Sequence, residues 1–258
     1  MMCAASGLAY TRTLGTFGPT HGTTMVRKLE HATALAKSSQ GRRAKELFQE
    51  IIDSSPNPEW VLAVSEVELA RVLKDGGELA AARDLLEKLV PRLLREKARW
   101  AWHERIEAST LLGSIYVALK SWVDAEHWLF LSIDSHLAND TACPQKVVNC
   151  MEEIARFYRA RGDNALACET YRVAVNILAS DEADVARVAL LNLKLANAEV
   201  LVGVRSEAAA RFRTAIRCLR RRKHDADARE AMPGARRQLA ELIKPAKRLR
   251  RPTSPEDV

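Results

Sequence analysis

The chain has 258 residues, of which 47% are hydrophobic and 28% charged, a balance that fits neither a disordered segment nor a membrane protein. Alanine occurs 40 times while Gly (11), Pro (9) and aromatic residues (5%) are scarce, which argues against an all-β chain and for packed helices. The formal charge of +7 is concentrated at one end: between Arg211 and Arg251 stand 15 Lys or Arg against 4 Asp or Glu, which points to an acidic partner or a targeting receptor at that end only.

Residues 1–27 are expected to form a flexible N-terminal segment. The first 29 residues hold six Thr and four Gly, carry Arg12, Arg27 and Lys28, and meet no acid before Glu30. An acid-free, hydroxyl-rich, Arg-bearing start is the composition of an organelle transit peptide. A plain tail, or an upstream leader ahead of a start at Met25, competes with that reading. No secretory core is visible, and no stretch approaches the ~18–20 apolar residues that a spanning helix needs.

From residue 28 to about 219 the apolar pattern is helical almost without interruption. Strand alternation and hairpin turns are absent. Pro56 and Pro58 close one segment, Pro91 is expected to break or restart a helix, and Pro144 opens another. A repeated pattern runs through this region. Its first, weakest copy is Ala44-x-x-x-Phe48-x-x-Ile51. The second reads Leu69-Ala70-x-x-Leu73, Gly77, then Ala82-x-x-x-Leu86-x-x-Leu89. The third reads Leu112-Gly113-x-x-Tyr116, Lys120-Ser121-Trp122, then Ala125-x-x-x-Leu129-x-x-Ser132. The fourth reads Ile154-Ala155-x-x-Tyr158, Gly162, then Ala167-x-x-x-Tyr171-x-x-Ala174. The fifth reads Leu195-Ala196-x-x-Glu199, Gly203, then Ala208-x-x-x-Phe212-x-x-Ala215. The alanine recurs at 44, 82, 125, 167 and 208, in steps of 38 to 43 residues.

Small residues at 70, 113, 155 and 196 belong to the first helix of each pair, and the recurring alanines to the second. Together they let two helix backbones approach, where bulk would overpack the crossing at a cost of roughly 1–3 kcal/mol. Gly77, Gly162 and Gly203 suit a left-handed residue closing the first helix. Ser121 with Asp124, Asp163, and Ser206 with Glu207 are candidate caps for the second helices.

These residues resemble the tetratricopeptide repeat, over about residues 28–220, in a long form of about 42 residues similar to that of kinesin-light-chain-type adaptors. The resemblance implies an all-α solenoid of about five helical hairpins with a C-terminal basic helix, and a concave groove that binds peptides or helices of other proteins. The usual tryptophan of the first helix is replaced by Glu66, Ser109, Met151 and Asn192. The carboxylate-clamp asparagine position holds Arg71, Ser114, Arg156 and Asn197, so only one copy fits chaperone-tail binding. Counting from the small residue, the groove-facing set is Arg71, Lys74, Thr110, Ser114, Asn149, Arg156, Arg159, Lys194 and Asn197, with Glu68, Glu107 and Glu152 among them. Such a groove would suit an extended, partly acidic peptide.

No nucleophile elbow, zinc-helix, phosphate-loop or paired-carboxylate motif is present, and no cofactor is expected. His103-Glu104 is an isolated adjacent pair. Five cysteines without a C-x-x-C spacing read as free thiols or small buried apolar residues. Trp122 and Trp128 read as core; Trp100 and Trp102 read equally as core or as contact surface. Residues 220–258 carry two basic clusters, Arg220, Arg221, Arg222, Lys223 and Lys247, Arg248, Arg250, Arg251. These allow nuclear import by importin, phosphate contact with nucleic acid, or a solvated capping helix. Ser254-Pro255 beside the second cluster has the form of a proline-directed phosphorylation site. The expectation is a non-catalytic scaffold, adaptor or complex subunit with protein partners and no membrane partner. The alternative is a nucleic-acid-associated subunit. The compartment expected is cytoplasmic or nuclear, with a mitochondrial or plastid matrix as the alternative.

Overall fold

Backbone hydrogen bonding along the chain is helical in every element of the computed structural model, which describes residues 2–18, 21–38, 40–54, 58–137, 144–179, 185–222 and 225–244. Among these residues lie α1 (Met2–Phe17), α2 (Gly22–Lys37), α3 (Gly41–Asp53), α4 (Glu59–Asp75), α5 (Leu79–Arg95), α6 (Arg99–Ala118), α7 (Trp122–Leu137), α8 (Pro144–Arg161), α9 (Asn164–Ala179), α10 (Val185–Val202), α11 (Arg205–Arg220) and α12 (Ala226–Ile243), and no strand. The chain divides into two units, Met1–Asp163 and Asn164–Val258.

In the first unit each helix packs on the next in sequence, and the first helices of successive pairs, α2, α4, α6 and α8, also pack on one another. This second set of contacts makes the inner layer of a superhelix. One core runs from α2 to α6 through Leu29, Ala44, Phe48, Ala70, Ala82, Leu86 and Leu112. A second joins α7 and α8 through Ala125, Leu129, Ile154 and Phe157. In the second unit α9, α10, α11 and α12 pack in order, and α10 also meets α12. Ala196, Ala208, Phe212 and Leu219 lie at the centre of its core.

The small-residue rule has a direct structural basis at Gly113. A Cβ there would stand 2.6 Å from Cγ of Leu129 and 3.2 Å from its backbone nitrogen, so α6 and α7 could not cross as closely with any other residue. Ala125 and Ala167 are both fully buried. Gly77, Gly162 and Gly203 take φ of 84°, 97° and 91°. Each is followed by a backbone N–H that reaches five residues back: Glu78 to the Leu73 carbonyl, Asp163 to Tyr158 and Val204 to Glu199. The third pair makes the same closure without glycine. Lys120 holds φ at 59°, and the Ser121 N–H bonds the Tyr116 carbonyl.

The N-terminal segment carries α1 and the start of α2. Its threonines do not resist the helix, because the hydroxyls of Thr11, Thr13 and Thr16 donate to carbonyls three or four residues back. Thr24 donates to the Thr13 carbonyl and so ties α2 to α1. Pro91 does not break α5; it lies inside the helix on an exposed face, where water can satisfy the carbonyl it leaves free. Ser206 is not a cap, because α11 starts one residue earlier, behind Val204 and without a side-chain cap bond. Helix α12 carries Arg229, Arg236 and Arg237 against Asp227, Glu230 and Glu241, so the basic runs flank it rather than lie on it. Pro56 lies outside the described residues.

Candidate binding groove

In the first unit the inner helices leave a cleft of about 1130 Å³. Its apolar lining comes from Ala36 of α2 and from Val64, Val67 and Val72 of α4. Its charged lining at one side is Glu68 and Arg71 of α4 with His103, Glu104 and Glu107 of α6. The helical period explains the grouping: 64, 67, 68, 71 and 72 share one face of α4, as do 103, 104 and 107 on α6.

Arg71 lines the cleft but is already occupied. Its guanidinium contacts Glu107 Oε2 at 3.2 Å and Glu68 Oε1 at 3.6 Å. Arg156, exposed on α8, pairs with Glu153 and lies 3.9 Å from Glu152. Lys74 is half-buried beside these groups. Its amine is pulled below the usual lysine range by burial, against the upward pull of Glu153 and Asp75 and with the repulsion of Arg156 and Arg71. Arg71, Lys74 and Arg156 are thus brought together. Thr110 and Ser114 do not offer free hydroxyls: Thr110 donates to the Ile106 carbonyl at 2.8 Å and contacts Cys150 Sγ at 3.2 Å. Ser114 is buried and donates to the Leu111 carbonyl at 2.7 Å. Asn149 and Arg159 are exposed on α8. Lys194 and Asn197 are partly buried on α10, in the second unit.

The sequence reading missed Glu104. Its carboxyl is pushed up to about 7, first by burial, then by the neighbouring carboxylates Glu107 and Glu68, with Arg71 opposing. His103 beside it packs against the Lys146 amine from α8. The signal was present, since 103, 104 and 107 fall on the helical face that ends at Thr110 and Ser114. The side of the cleft formed by α4 and α6 is therefore rich in carboxylates, while Lys37, Arg42 and Lys45 also contribute to the lining.

Trp122 and Trp128 pack against the core, and so does Trp100. Trp102 carries Arg105 over its ring at 4.5 Å. Cys150 and Cys168 are buried free thiols, one in each unit, and Cys218 is half-buried; Cys143 lies outside the described residues. In the second unit Glu199, 1% exposed, occupies the place held by Tyr116 and Tyr158 in other pairs. It accepts from Arg211 Nε at 2.7 Å, and Arg211 also donates to Asn192 at 3.3 Å. Arg220, Arg221 and Arg222 are exposed after Arg217 at the end of α11. Lys223, Lys247, Arg248, Arg250, Arg251 and Ser254 lie outside the described residues. Among the described residues no helix is long and apolar enough to cross a membrane.

No protein-family model and no curated protein matches the sequence. Solved structures do. The chain is similar to a putative kinesin light chain of Podosopora anserina with nearly identical TPR-like repeats: TM-score 0.62, 21% identity, 80% of this chain and 100% of that one. It is similar to BtubC (BKLC) of P. vanneervenii: TM-score 0.62, 17% identity, 90% and 91% covered. It is also similar to a tetratricopeptide repeat protein of Parabacteroides merdae: TM-score 0.58, 12% identity, 94% and 87% covered. With twelve helices in the described residues, small-residue crossings at a stride of about 42 and these neighbours, the fold of the chain is that of a tetratricopeptide-repeat-like α-helical superhelix.

Proposed function

We propose that this chain is a non-catalytic protein-interaction scaffold, an adaptor or a subunit of a larger complex, that holds a peptide or helix of its partner in the cleft of the first unit. The observation that carries the reading is the cleft itself. It is open, floored by valines and rimmed by charges from two inner helices, which is the surface an amphipathic segment can cover. The shared superhelical fold supports a repeat scaffold suited to protein–protein contact. In keeping with a binding role, Glu68, Glu78 and Glu107 in the cleft are tied to arginine or lysine rather than poised beside a nucleophile.

The test is quantitative affinity purification with the full chain, with Val64→Trp, and with a chain truncated after Lys244. A groove partner is expected to be lost with Val64→Trp and retained by the truncated chain. Equal recovery of every partner with Val64→Trp would remove the cleft as the binding site.

A further inference from the structure

We propose that the cleft of the first unit selects a cationic partner segment, an amphipathic stretch whose apolar side chains lie on Val64 and Val72 and whose Arg or Lys enters between Glu68, Glu104 and Glu107. This rests on the groove reading above and adds the sign of the partner's charge. Three carboxylates from two helices meet on this side of the cleft, with one guanidinium among them. Arg71 spans Glu68 and Glu107, and Glu104 makes no ion pair or hydrogen bond of its own. Lys37, Arg42 and Lys45 also line the cleft, from α2 and α3 rather than from the helices that carry the three carboxylates. Lys45 is held by Glu78 at 2.6 Å, Arg42 lies 3.5 Å from Glu46, and Lys146 of α8 packs on His103.

A carboxyl partly withdrawn from water and placed beside two others is held back from ionising, as the upward shift of Glu104 reflects. A guanidinium arriving from a partner supplies the missing countercharge and up to two charge-assisted hydrogen bonds. An acidic segment would meet the same carboxylates with repulsion, and Arg71, already bridged, has little left to offer it. The valine floor supplies the apolar half of the recognition, so the occupant is amphipathic rather than merely basic.

The experiment is fluorescence anisotropy with the full chain at physiological salt. The probes are a labelled helix-forming peptide of leucine, alanine and arginine, and its counterpart with glutamate replacing each arginine. The arginine peptide is expected to bind and the glutamate peptide not. Glu104→Gln should weaken the arginine peptide on the order of tenfold or more. Val64→Trp, checked for folding by circular dichroism, should abolish binding, and so should Glu68→Arg, which places a cation of the chain's own in the cleft. Binding of neither peptide overturns the proposal. Preference for the glutamate peptide, lost in Val64→Trp, overturns the charge assignment and leaves the groove as a peptide site. Arginine-peptide binding that is indifferent to Glu104→Gln, Glu68→Arg and Val64→Trp overturns the groove reading as well.

Discussion

The α6–α7 crossing in the first unit and the α10–α11 crossing in the second solve one packing problem with different chemistry. Both use small residues to bring two helices together, Gly113 with Ala125 in one and Ala196 with Ala208 in the other, and Ala125, Ala196 and Ala208 are fully buried. Three residues after the first small position, α6 places Tyr116, whose ring packs on the core while its hydroxyl donates outward to Glu87. The fifth pair places Glu199 there, buried, with Arg211 on α11 as its counter-ion. The crossing fixes the space but not the polarity of what fills it. A charged filler is tolerated only when its partner arrives from the facing helix.

The comparison breaks most sharply at Arg211. Arg211→Ala strands Glu199 and should cost about 3 kcal/mol in urea unfolding. Glu199→Met with Arg211→Met should recover most of that loss, because an apolar pair of similar volume carries no desolvation cost. If the single and the double variants are equally unstable, the pair is not the reason for the polar filler.

Gly113→Ala should cost about 2 kcal/mol by overpacking against Leu129. Combined with Leu129→Ala it should cost less than the two single losses together, since the added methyl then meets a vacated space. Strict additivity would show that the close approach at Gly113 is unimportant.

A third test concerns the carboxyl with no counter-ion. Glu104 is protonated more readily in the folded chain than in the unfolded one. The folded state therefore binds more protons between pH 4.5 and about 7, and stability from this group falls as pH rises through that window. Glu104→Gln removes the effect and should gain on the order of 1 to 2 kcal/mol over the native chain at pH 8, with little difference at pH 4, in parallel urea titrations. A constant difference across that range would contradict the assignment.

The smallest effect is at Lys120. Its left-handed backbone favours glycine, so Lys120→Gly should stabilise by about 0.5 kcal/mol, whereas Gly162→Lys should destabilise. The two midpoints moving in the same direction would refute a shared closure.

How far the sequence could be read follows from the range of each interaction. Small residues and left-handed glycines act within a helix pair at fixed offsets, so the stride from Ala82 to Ala208 is enough to place eight helices. Helix α1 escapes that template because it has no repeat to align with, and its threonines satisfy themselves only once the helix exists. Lys120 escapes because nothing in its side chain announces a positive φ. At the groove, the place of Arg71 on the cleft side of α4 was legible from its offset to Ala70. The occupancy of that arginine was not, because one of its two carboxylates comes from a helix 36 residues further along. The hydroxyl protons of Thr110 and Ser114 were equally illegible, since both are donated to carbonyls of their own helix.

The two buried thiols give each unit its own native clock. Cys150 sits under Thr110 and Ser132 with its thiol pushed above the usual range by burial, and Cys168 is likewise raised by burial, with Arg172 pulling the other way. Both sulfurs are shielded by the helices around them, so maleimide labelling is fastest when those helices part. Read residue by residue, to keep Cys218 apart from Cys168, the two alkylation rates time the breathing of the two units separately, with no cysteine engineered into the chain.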